Sequence, residues 1–171
     1  MTIAMSSASL PVYRTMLDNL IHFLDKAQAH AEARKFDPAA LLQFRLAPDM
    51  LPFTRQIQLA CDHAKNGVAR MSGVEAPKFE DNETSFAELK ARIRKTLDYL
   101  ASVPADRLDG TEDKDITFPV GREATRTMKA EAYLKHWSLP NFFFHVTTAY
   151  VILRHNGVEL GKKDFLAGSK A

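Results

Sequence analysis

Three side chains stand out for the chemistry they could do together: His63, Asn141 and His145. His63 lies three residues after Ala60 and four before Gly67, within a stretch of helical periodicity. Those small neighbours leave space beside its imidazole. Asn141 and His145 are four residues apart in a second helical stretch, so they project from one face. If the two stretches adjoin, three nitrogen- or oxygen-bearing side chains converge in the seam, as helical bundles do when they build metal sites. A plainer reading stands beside this one. A histidine at the edge of an apolar face is commonly a hydrogen-bonded boundary residue, and an asparagine in a first helical turn can simply satisfy backbone groups. Spacing alone does not choose between them.

The other reactive residues carry less. Cys61 and His63 are two apart on a helix and point in different directions, so they do not read as a nucleophile pair. Buried free cysteine is the default for Cys61. Arg154 and His155 fall in a last helical turn and complement its dipole. The Phe142 to Phe144 run reads as core, because no basic cluster accompanies it. No P-loop, GxGxxG, HExxH or GxSxG motif occurs. A single cysteine excludes a disulfide framework within the chain and a cysteine-only zinc site. Twenty-three basic and 21 acidic residues nearly cancel, which argues against an electrostatic nucleic-acid binder.

Four helical stretches must position these residues. The first spans about Leu10 to Lys35, with Leu10, Tyr13, Leu17, Leu20, Leu24, Ala27 and Ala31 on one face. Ser9 is its expected N-cap and Pro11 sits in its first turn. Asp37-Pro38 opens a short turn through Phe44. The second helix spans about Pro52 to Met71, with Gly67 on its apolar face and Gly73 as its stop. Ser85 and Glu88 form a capping box for the third, which ends before Pro104. The fourth begins near Pro140 and stops at Asn156-Gly157. It is apolar nearly all round, as a central helix would be. Between the third and fourth, Ile116 to Val120 could form a strand and Thr127 to Trp137 a partial helix.

The link from Ser72 to Thr84 would reach about 40 Å extended. A helix of about 20 residues is roughly 30 Å long, so the second and third helices can run parallel through a crossover. These elements predict an all-α four-helix bundle, residues 1–171 as one domain, with a long connection between its third and fourth helices. The N-terminus has no basic, apolar leader, and the tract Phe142 to Leu153 is too short to span a membrane. A cytoplasmic protein without membrane or nucleic-acid partners is the expectation.

The stretch from Asn141 to Val158 resembles the last bundle helix of the DinB/YfiT-like superfamily of metalloenzymes, and in particular an uncharacterised domain-of-unknown-function branch. Leu153, Arg154, Gly157 and Val158 match the Leu-Arg-x-x-Gly-Val ending that follows the family's His-x-x-x-His pair. Counting back places His145 on the second histidine and Asn141 on the first, while His63 falls at the helix-two histidine. The resemblance implies an up-down-down-up bundle, often dimeric. It also implies a divalent metal such as zinc, nickel or manganese held by three histidines, with an open position that some members use for thiol-dependent transfer.

Asn141 departs from that pattern, since a neutral amide oxygen is a poorer donor than imidazole toward zinc or nickel. His136 is the alternative third ligand. Two functions therefore stand side by side: a bundle with a degenerate His/Asn/His site, binding a small ligand or a second copy, and a metal-dependent, thiol-using transferase.

Overall fold

The computed structural model describes residues 3–121 and 123–168. Helix α1 runs from Met5 to Ala33, so it starts five residues earlier than the periodicity predicted. Ser9 is not its cap. Ser9 is buried, and its hydroxyl donates back to the Met5 carbonyl at 2.7 Å, an i−4 bond open to a serine already inside a helix. Pro11 is tolerated because it faces outward, where solvent can satisfy the carbonyl its missing N–H leaves free.

A 3₁₀ turn, Pro38–Gln43, follows, with the Asp37 side chain accepting from the Ala39 N–H at 2.9 Å. Helix α2 spans Phe53–Ser72 and stops at Gly73, whose φ of 75° suits a residue without Cβ. Helix α3 spans Phe86–Ser102. Ser85 Oγ accepts from the Glu88 N–H at 3.2 Å, while the Glu88 carboxylate reaches back to the N–H of Thr84 rather than Ser85, at 2.6 Å.

The region after α3 corrects the all-α expectation. Strands β1 (Asp115–Val120) and β2 (Ala124–Lys129) pair antiparallel, with Ile116 opposite Met128 and Phe118 opposite Arg126. Ile116 and Phe118 alternate inward, and Phe118 packs against Tyr133 and Trp137 with ring centres 4.9 and 5.0 Å away. The first three residues of the predicted Thr127 to Trp137 helix are therefore strand. Helix α4 (Ala130–Tyr133) then passes through a π turn (Leu134–Ser138) into α5 (Leu139–His155). Pro140 accounts for the wide turn, because its ring would otherwise press on the carbonyl four residues back. A short helix, α6 (Lys162–Ala167), closes the described chain.

The protein is thus mostly helical, with a small two-stranded hairpin. Its four long helices, α1, α2, α3 and α5, pack around one contiguous set of buried side chains. Paired contacts give their directions. Phe53 meets Phe86 near the starts of α2 and α3, and Tyr99 donates to the Val74 carbonyl near their ends, so these two run parallel. Tyr13 against Phe142 and Phe23 against Tyr150 make α1 and α5 parallel. Asp25 with Lys90, and Ser6 with Asp109, set α1 antiparallel to α3.

Crossover between α2 and α3 is tied down by Arg92, 2% exposed. Its guanidinium meets Asp62 of α2 at 2.9 Å, and Asp81 and Glu83 of the link at 2.7 and 3.0 Å. It also lies over the Phe79 ring. The expectation that the Phe142 to Phe144 run is core is corrected in part. Phe142, Val146, Ala149 and Leu153 are buried, but Phe144 is 57% exposed and Val151 also faces outward.

Candidate functional site

Helices α2 and α5 pack closely and antiparallel, and this brings the two histidines together. Close approach depends on Gly67. A Cβ there would collide with Ser138 Oγ and sit 3.2 Å from the Tyr13 hydroxyl. Tyr13 and Ser138 share a 2.7 Å hydrogen bond, both fully buried, and burial pushes the Tyr13 phenol well above its ordinary range, keeping it neutral. With the seam closed at this point, the His63 and His145 rings lie 5.3 Å apart, centre to centre, and are nearly parallel at 15°.

His145 is buried, and its Nδ1 lies 2.8 Å from Gln56 Oε1. Gln56 in turn donates from Nε2 to the Leu51 carbonyl at 2.9 Å. Sequence reasoning missed Gln56. It lies seven residues before His63, two helical turns along the same face, and that spacing is the one signal that could have singled it out.

Burial lowers the His145 imidazole to about 4, helped by the field of His63 and then of Arg55. His63 is lowered too, by burial first, with Asp62 opposing and Arg70 assisting. Both rings are neutral at physiological pH, each offering one N–H and one lone pair. Cys61 stays apart from this chemistry, since burial pushes its thiol up to about 12.

Asn141 is half-buried one turn before His145, and its Nδ2 donates to the Trp137 carbonyl at 2.7 Å. This is the backbone-satisfying role open to an asparagine in a first turn. His136 is exposed on the π turn. Among the described residues, no group of three or more His, Cys, Asp or Glu side chains is placed to hold a metal ion. A three-histidine centre does not fit the residues present, because its third nitrogen is replaced by an amide already engaged with backbone. Phe144 sets its exposed ring edge-on to His145, 5.2 Å away, as an apolar rim.

Against known families, residues 5–166 match the model described as a domain of unknown function, DUF1993. The chain belongs to the DUF1993 family. This DUF1993 protein is also similar to the crystal structure of a DinB family member protein from Shewanella denitrificans, with 42% identity and a TM-score of 0.86. The match covers 94% of this chain and 90% of that one. A DinB-like identity is therefore established, as the ending of α5 implied. No curated protein matches. Among the described residues, no helix is long and apolar enough to cross a membrane.

Proposed function

We propose that this DUF1993 protein is a DinB-like four-helix bundle in which the superfamily's metal centre has been reduced to a small-molecule site formed by His63, Asn141 and His145. One observation carries this reading: Asn141 stands where the resemblance implies a third histidine, and its amide is engaged with the Trp137 carbonyl. The neutral, stacked imidazoles and the apolar rim at Phe144 support it. Such a pair hydrogen-bonds a polar group of a ligand while the rim covers its apolar body.

Metal analysis of protein purified without a polyhistidine tag tests this directly. The expected content is far below one ion per chain, and Asn141→His should tighten zinc binding by at least tenfold. Near-stoichiometric zinc, nickel or manganese that disappears in His63→Ala and His145→Ala would overturn the proposal. It would instead favour the metal-dependent, thiol-using enzyme. That second reading draws on His145, whose outer hydrogen bond to Gln56 is the arrangement that orients metal-binding histidines.

A further inference from the structure

Both ends of the Gln56 amide are committed. Nε2 donates to the Leu51 carbonyl at 2.9 Å, so the atom at 2.8 Å from His145 Nδ1 is the oxygen. Rotating the amide by half a turn would set its oxygen against the Leu51 carbonyl, two acceptors with no proton between them. Gln56 is buried, and so is its bond to His145, so water does not compete at the ring. An amide oxygen only accepts. The proton of the neutral His145 ring must therefore sit on Nδ1, and Nε2, on the far side of the ring, keeps its lone pair.

We infer that Gln56 is a positioning residue: it fixes His145 as the Nδ1–H tautomer, so that the site meets its ligand through an unprotonated Nε2. The ligand is then one that presents an O–H or N–H to that nitrogen, in preference to an anionic acceptor such as a carboxylate. The statement about the ligand rests on the small-molecule reading above; the tautomer does not.

Nitrogen-15 NMR of histidine-labelled protein at pH 7.5 reads the tautomer directly, with His145 assigned by its loss in His145→Gln. In the native chain, Nδ1 should give the protonated-type shift and Nε2 the unprotonated type. Gln56→Glu gives up the bond to the Leu51 carbonyl, whose residue is exposed to solvent, but keeps an acceptor for Nδ1 and should preserve that pattern. Gln56→Leu removes it and should shift the tautomer ratio at least tenfold toward Nε2–H. An Nε2–H ring in the native chain overturns the inference, as does an unchanged ratio in folded Gln56→Leu. If Gln56→Leu does not fold, the native and Gln56→Glu spectra still decide.

Phenol, a neutral O–H donor, and acetate, an acceptor, are the ligand probes. Phenol should perturb His145 Nε2 and acetate should not; the reverse overturns the ligand class. If neither binds, the small-molecule reading fails while the tautomer assignment is judged on its own spectra.

Discussion

At residue 141 the chain carries an amide where the resemblance implies an imidazole, and that amide is engaged with the Trp137 carbonyl. Imidazole and amide are close enough in size to share a helix face, but only imidazole supplies a nitrogen lone pair to a borderline metal. His145 makes the same point through pH. Its folded value of about 4 lies below the ordinary 6.5, so folding favours the neutral ring. The unfolded chain takes up the proton first as pH falls. This contribution to stability is therefore complete above about 6.5 and is lost between about 6.5 and 4. His63, lowered as well, acts with the same sign. Thermal unfolding followed from pH 7.5 to 4.5 should show His145→Gln losing roughly 5 °C less than the native protein. Equal losses would mean that the ring is not neutral by burial. The meeting of His63 with His145 was legible from residue types and helix faces. Gln56 was legible only as a residue on the His63 face of α2, because that spacing does not say which partner it will meet.

Among the elements, the α2–α5 seam and the α2–α3 crossover each depend on one residue, Gly67 and Arg92. Gly67→Ala should destabilise by about 1–3 kcal/mol, since the added methyl must displace a serine hydroxyl held by Tyr13. Adding Ser138→Ala should recover part of that loss, and denaturant titration of the single and double variants measures both effects. Arg92→Met removes the cation shared by Asp62, Asp81 and Glu83, leaving Asp62 to Lys65 and Asp81 to Arg55. Only the arginine is fully buried and the carboxylates are partly solvated, so the loss is about 1–3 kcal/mol. A loss below about 1 kcal/mol in the same titration would show that the crossover is held by apolar packing instead. Link length permitted the parallel arrangement of α2 and α3, but the Arg92 cluster is what fastens it. The start of α1 went the other way. Ser9 has the composition of a cap, yet burial against the core made it an interior residue.

Across the whole molecule, hairpin and helices share one core. Trp137 packs on Phe118 of β1, and it belongs to the helical run that leads into α5. Tryptophan fluorescence and far-ultraviolet circular dichroism should therefore report the same unfolding midpoint. An earlier fluorescence transition would mean that the hairpin opens by itself. Residue order by itself determined where the long helices lie and where most of them stop, because caps, glycine stops and apolar periodicity act within a turn or two of chain. It also placed His63, Asn141 and His145 on their helices. Tertiary structure alone decided that Gln56 would meet His145 across 89 residues, that Thr127 to Lys129 would pair with the expected strand instead of joining a helix, and that α5 would leave Phe144 exposed. Contacts between distant segments depend on which surfaces pack together, and no local spacing in the chain encodes that choice.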